Sequence, residues 1–183
     1  MRKHMVAIVV ILVLGTFMLV AGGDKEASQA PLASESREFS AGDRWSFSWR
    51  FLEQEVEFTV SAPTTGWVAI GFNPSRMMKD AHYILGYVSE GKLYLRDDFG
   101  TGNTSHASDA SLGGSDDVRP VSGSEENGVT TITFAVPRDA QDAYDIDFIQ
   151  GETYKVLLAY GGANADNYTG MHRARQSLDV ILD

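Results

Sequence analysis

Trp45, Phe47, Trp49 and Phe51 alternate with Ser46, Ser48 and Arg50. Val56, Phe58 and Val60 alternate with Glu55, Glu57, Thr59 and Ser61, and Thr130, Ile132, Phe134 and Val136 repeat the habit. A period of two puts every second side chain on one face, so these segments read as strands with one side buried. Residues 67–72, 83–88, 93–95, 154–159 and 177–182 are rich in β-forming side chains and predict further strands. Turn formers punctuate them at Asn73-Pro74, Glu126-Asn127-Gly128 and Gly161-Gly162. No window carries a helical stripe longer than about three turns. Eight or nine short strands in a chain of 183 residues predict one all-β domain, an immunoglobulin-like β-sandwich of two antiparallel sheets.

The N-terminus departs from this pattern. Arg2, Lys3 and His4 precede an apolar run that ends in Ala21-Gly22-Gly23. A charged start, an apolar middle and a small-residue end predict a secretory signal over 1–23, or an N-terminal membrane anchor if the segment is retained. Leu19-Val20-Ala21-Gly22 resembles a bacterial lipobox with Gly in place of the lipidated Cys. Residues 24–37 are polar, with Ser, Ala and Glu, and read as a flexible linker. The domain proper is expected over 38–183. The expected location is extracytoplasmic: periplasmic, cell-surface or secreted, with a membrane tether open as a possibility.

Composition removes several classes of function. With 0 cysteines there is no disulfide, zinc–thiolate site, iron–sulfur cluster, covalently attached haem or cysteine nucleophile. The net charge is -10, and loss of Arg2 and Lys3 with the signal takes it to -12. A phosphate-binding surface needs clustered Lys and Arg, so nucleic acid is not an expected partner. There is no phosphate loop, nucleophile elbow or His-Glu-x-x-His zinc motif. Two Asn-x-Ser/Thr sequons occur, at Asn103 and Asn167.

One stretch, 97–128, is polar and rich in Gly and Asp. Its acids invite comparison with a Ca²⁺ site, but their spacing fits no calcium loop, and the stretch reads as a solvated loop.

Two segments carry candidate chemistry. In the first, the strand 67–72 ends in Asn73-Pro74 and is followed by Met77-Met78-Lys79-Asp80-Ala81-His82. The methionines are core fillers or, beside a Pro turn and basic neighbours, thioether donors to a metal or an apolar ligand. The second segment is Tyr168-Thr169-Gly170-Met171-His172. If the last strand runs back unbroken, His172 shares the parity of Ala174, Leu178, Val180 and Leu182. It is then either a buried histidine bonded to a carbonyl or a neutral imidazole offered to a metal.

Taken together, these pieces resemble the DOMON family. The resemblance rests on Gly66 to Phe72, Met78-Lys79-Asp80-Ala81-His82, Leu112-Gly113-Gly114-Ser115-Asp116-Asp117, Ser122 to Gly128, and His172 ahead of the final strand. It covers about 37–183 and implies a β-sandwich of two antiparallel sheets. Some members bind haem b, and others are thought to bind sugars or other ligands. The haem-binding members, similar to the cytochrome domain of cellobiose dehydrogenase, hold the iron between a Met and a His. These fall on Met78 and His172 here. Many members carry Asp where this chain has His82, which makes His82 a second candidate imidazole. Trp67, Phe72 and Tyr83 are expected to line the macrocycle's cleft or to be core.

The resemblance implies an exported electron-transfer module with non-covalent haem b, serving a redox partner protein or a membrane electron-transfer chain. Catalysis by the chain itself is not expected. The alternatives are a haem-free module for carbohydrate or another small ligand, and an accessory subunit of a larger redox enzyme.

Overall fold

The computed structural model describes residues 36–41 and 44–183. The expected signal or anchor over 1–23 lies outside the described residues, as does all of the 24–37 linker except Ser36 and Arg37.

The alternating segments become the first sheet. β1 (Arg37–Ala41), β2 (Trp45–Phe51) and β3 (Glu55–Ala62) lie side by side. β8 (Arg119–Glu126) and β9 (Val129–Pro137) complete it in the order β1-β2-β3-β9-β8. β2 and β3 bury every second side chain, as their sequences require. Asn127 and Gly128, both with positive φ (54° and 78°), make the two-residue turn between β8 and β9. Asn-Gly is suited to that turn because it tolerates left-handed backbone.

The second sheet contains β4 (Val68–Phe72), β5 (His82–Ser89), β6 (Lys92–Gly102), β7 (Ser105–Ser108), β10 (Thr153–Tyr160) and β11 (Ala174–Ile181). Its order is β11-β10-β4-β5-β6-β7, and every pairing in both sheets is antiparallel. The two sheets form the expected β-sandwich. Between them lie Phe47, Phe58, Phe72, Phe134, Phe148, Ile70, Ile84, Ile132, Leu158 and Leu182, all nearly inaccessible. Each such side chain contributes about 1.5–3 kcal/mol by leaving water.

The polar stretch 97–128 is not a solvated loop. It contains the end of β6, then β7, a one-turn helix α1 (Asp109–Leu112) capped by left-handed Gly113, and all of β8. Asp is a poor strand former, so its presence conceals a strand from sequence reading. Asp97, Asp98 and Asp109 are nevertheless buried at 1%, 0% and 0% exposure. The last strand also begins three residues earlier than 177, at Ala174, and stops short of His172.

Candidate functional site

β4 is buried along its whole length, which means that both faces of the second sheet are covered here. Val68, Ile70 and Phe72 face the sandwich interior. Trp67 and Ala69 face outward and join Ala81, Tyr83 and Leu85 in a separate apolar cluster. Met78, Tyr87, Leu157, Ala159, Ala165 and Tyr168 pack against it. Two loops supply the cover. Residues 73–81 connect β4 to β5, and residues 161–173 connect β10 to β11. Val156 pairs with Phe72 and Tyr160 with Val68, so the loops leave the sheet from opposite ends. Met78 from one and Tyr168 from the other then meet the same outer cluster.

The first loop is held in a strained course. Asn73, Met77 and Asp80 all adopt positive φ, at 50°, 54° and 63°. Left-handed backbone costs a non-glycine residue roughly 1–2 kcal/mol, so the surroundings must hold it in place. The Asp80 N–H donates to the Gly100 carbonyl at 2.8 Å, and the Gly100 N–H donates to the Ala81 carbonyl at 2.8 Å. The other end is fixed by Asn73, which exchanges two bonds with the Lys155 backbone at 2.9 and 3.0 Å. The reversal at Met77 leaves that side chain 48% exposed, while Met78 packs inward on the cluster.

The five residues singled out by sequence therefore separate. Trp67, Tyr83 and Met78 come together on the outer face. Tyr83 lies flat over Gly71 of the neighbouring strand, where any Cβ would fall 2.2 Å from the ring. Its hydroxyl is buried without a hydrogen-bond partner, and burial raises its pKa well above the usual phenol range. Phe72 is on the other face, packed on Phe58 and Phe148 at 5.1 and 5.0 Å between ring centroids. It belongs to the main core because β4 alternates and Phe72 has the inward parity. His172 is half-buried at the end of the loop that carries Tyr168 onto the outer cluster. The Arg173 N–H bonds the Tyr160 carbonyl at 2.7 Å and closes that loop, so β11 itself begins two residues after His172, while the alternation of burial continues back to it.

His82 is not beside Met78 on the outer face. Its strand position points it inward, to Asp97, Asp109 and Asp145. Its Nδ1 lies 3.2 Å from Asp145 Oδ1 and 3.7 Å from Asp97 Oδ1.

Sequence reading missed the polar part of the outer face. The Arg96 guanidinium stacks 4.5 Å over the Tyr168 ring and binds Asp98 through two nitrogens. His106 Nδ1 also bonds Asp98, and its ring lies 6.1 Å from that of Tyr83. Tyr168 donates to the Leu95 carbonyl at 3.0 Å, and burial pushes its pKa up to about 12. Tyr87 stacks on Tyr94 at 5.0 Å and meets Tyr168 at 5.2 Å. The available signal was period two, through Tyr83, Leu85 and Tyr87 on β5 and Tyr94, Arg96 and Asp98 on β6.

Residues 42–161 match the DOMON domain family, about two thirds of the chain, and the chain belongs to that family. It is 27% identical over 146 residues to the human protein "DBH-like monooxygenase protein 1", covering 78% of this chain and 23% of that one. It is 26% identical over 118 residues to "MOXD1 homolog 2" of Drosophila melanogaster, covering 64% and 15%. The chain thus spans less than a quarter of either relative's length. Among solved structures it is similar to the cytochrome b domain of pyranose dehydrogenase from Coprinopsis cinerea. The TM-score is 0.57 at 13% identity, over 78% of this chain and 80% of that one. It is also similar to the cytochrome domain of cellobiose dehydrogenase from Myriococcum thermophilum, with a TM-score of 0.58 at 11% identity, over 81% and 82%. At those identities the likeness is one of fold.

Proposed function

We propose that this chain is an exported electron-transfer module that holds haem b non-covalently, with Met78 and His172 as the axial ligands. The observation that carries the reading is the pair of loops from opposite sheet ends covering one outer face. One brings a half-buried thioether to the apolar cluster, and the other carries a half-buried imidazole four residues after Tyr168 in sequence. Thioether and imidazole are a donor pair suited to haem iron. Met78 lies within the segment that matches the family, and His172 lies beyond it. The shared fold with two cytochrome domains supports the reading.

When bound, the haem would supply a one-electron redox couple. Met78 and His172 would hold the iron between a thioether and an imidazole, a donor pair suited to electron transfer rather than oxygen activation. Trp67 and Tyr83 would flank the group on the outer face and exclude water. Phe72 would not line it, since it faces the sandwich interior. The partner is a redox protein or membrane chain outside the cytoplasm.

Two observations favour a second reading. Sequence identity is higher to the monooxygenase-named relatives than to the cytochrome domains, and the half-buried Tyr87, Tyr94 and Tyr168 stand beside Arg96. Tyrosine rings with a polar neighbour also suit a sugar or other small ligand. This describes a haem-free binding module or an accessory part of a larger redox enzyme.

The deciding experiment is the visible spectrum of the full chain produced with haem supplied, oxidised and then reduced. Sharp low-spin bands are expected in both states. Met78→Ala and His172→Ala should each abolish them while circular dichroism stays that of a folded β protein. A folded, colourless protein that takes up no haem would overturn the reading and direct the work to a carbohydrate screen.

A further inference from the structure

The largest unmet demand among the described polar groups lies away from the outer face. His82 opens β5, Asp97 sits within β6, Asp109 opens α1, and Asp145 lies in the connection from β9 to β10. Four distant segments thus place one imidazole and three carboxylates so that their ligand atoms all lie within 4.8 Å of one another. His82, Asp97 and Asp109 are 2%, 1% and 0% exposed. Neither His82 ring nitrogen makes a hydrogen bond, and neither does any carboxylate oxygen of Asp97 or Asp109. Leaving one buried polar group without a hydrogen bond is costly, and here six such atoms stand at one place, relieved only by the His82 Nδ1 contacts with Asp145 and Asp97.

The surroundings make the demand larger. The charges acting on Asp97 and Asp109 are further carboxylates, from Asp145, Asp116, Asp117, Asp142 and Asp98. Burial, aided by these neighbours, raises the pKa of Asp97 to about 9 and that of Asp109 to about 7. Beside the cluster is a cavity of about 10 Å³, lined by His82, Asp97, Asp145 and Phe148 among others. That is room for about one water-sized occupant and no more.

We propose that His82, Asp97, Asp109 and Asp145 bind a single first-row divalent cation of the Mn²⁺ or Zn²⁺ kind as a structural site. A buried carboxylate set needs a cation or protons, and convergence from four segments is the arrangement that a metal rewards. The donor types choose the ion. Ca²⁺ takes six to eight oxygens, whereas a nitrogen donor among carboxylates suits Mn²⁺ or Zn²⁺. The spacing agrees. Donors about 2.1 Å from one ion stand roughly 3.0–3.5 Å apart, close to the 3.2 and 3.7 Å seen from His82 Nδ1. The ion would tie α1 and the end of β6 to β5 and to the connection that carries Asp145. The neighbouring group of Asp117, Asp142 and Asp145 does not make a second site, because Ser115 already bonds Asp117 and Asp142 there.

This inference does not rest on haem binding, and its test omits haem. The full chain is stripped with a chelator and titrated with MnCl₂, ZnCl₂ and CaCl₂ by calorimetry and thermal unfolding. The expected result is one saturable Mn²⁺ or Zn²⁺ per chain, with a melting temperature raised by several degrees. Asp97→Asn and Asp109→Asn keep shape while removing charge, and each should remain folded and lose that binding. Electron paramagnetic resonance of the Mn²⁺ form should show coupling to one imidazole nitrogen, absent in His82→Gln. Absence of saturable binding would overturn the proposal. Equal binding by both Asn variants would also overturn it, as would saturation by Ca²⁺ alone.

Discussion

Gly100→Ala tests whether the Met78 loop is seated as described. A methyl group at Gly100 would stand 1.8 Å from the Met78 carbonyl oxygen, 2.9 Å from its carbonyl carbon and 3.1 Å from the Ala81 nitrogen. An ordinary carbon–oxygen contact is about 3.3 Å, so the chains must part by roughly 1.5 Å. Both obstacles are backbone, and no side-chain rotation relieves them. The two 2.8 Å bonds that stitch Gly100 to Asp80 and Ala81 cannot survive that shift. Each is worth about 0.5–1.5 kcal/mol, and overpacking adds about 1–3 kcal/mol. The stiffer unfolded chain returns about 0.4–1 kcal/mol. The net expectation is a loss of roughly 1–6 kcal/mol, centred near 3 kcal/mol, which is about 5–15 °C in melting temperature for a domain of this size. Gly162→Ala is the control, since nothing lies within 4 Å of its Cβ position. It should be neutral or slightly stabilising. Urea and thermal unfolding give the energies. Trypsin should also cut faster at Arg76 and Lys79, which lie in the loop. A Gly100→Ala protein within about 1 kcal/mol of wild type, with unchanged trypsin cleavage, would refute the seating of Met78.

Two further predictions concern single groups. Tyr83→Phe removes a buried hydroxyl without a partner while leaving the ring over Gly71, so the haem-free protein should gain about 1 kcal/mol. A comparable loss in urea unfolding would show that the hydroxyl is bonded in solution. Glu55 has its pKa lowered by the hydrogen bond and charge of Arg119, against a smaller upward push from burial. A depressed folded pKa stabilises above the unfolded value and loses that contribution as pH falls through the folded one. The stability difference between wild type and Glu55→Gln should therefore be present at pH 7 and largely absent by pH 3. It should stay below about 1 kcal/mol, because the pair is partly exposed and screened. An equal difference at both pH values would contradict this.

The two sheets were legible where a strand hides one face and shows the other. Trp45 to Phe51 and Glu55 to Ala62 state their burial in the sequence, and their structure follows it residue by residue. The end of β6 was illegible for the opposite reason. Asp97 and Asp98 look like solvent-facing loop residues, because what makes their burial tolerable lies elsewhere in the chain. Asp98 depends on Arg96 and His106, and Asp97 faces His82. The candidate site divides in the same way. Trp67 and Tyr83 share the outer cluster, whereas strand parity sends Phe72 to the other face. The outward direction of Met77 and the inward one of Met78 are set by a left-handed turn, which no period in the sequence reports. The last strand stops short of His172, because the Arg173 N–H bonds the Tyr160 carbonyl and β11 begins at Ala174, although the alternation of burial that pointed to His172 continues back to it.

β5 joins the two places of interest by a single step along the chain. Its register is fixed on both sides, with His82 opposite Phe72 of β4 and Phe99 of β6. His82 therefore points into the sandwich and Tyr83 points out, and a one-residue slip would exchange them. Ala81, fully buried before them, is where the Met78 loop ends. The start of that loop is tied to Lys155 through Asn73, and its end is tied through Ala81 and Asp80 to Gly100. Three left-handed residues, the anchoring Asn73 and Asp80 and Met77 between them, persist because these ties hold the backbone in place. A cation on His82 and Asp97 would fix the relative position of β5 and β6, and so the second anchor. It would act on the outer face through backbone geometry, without touching any group there.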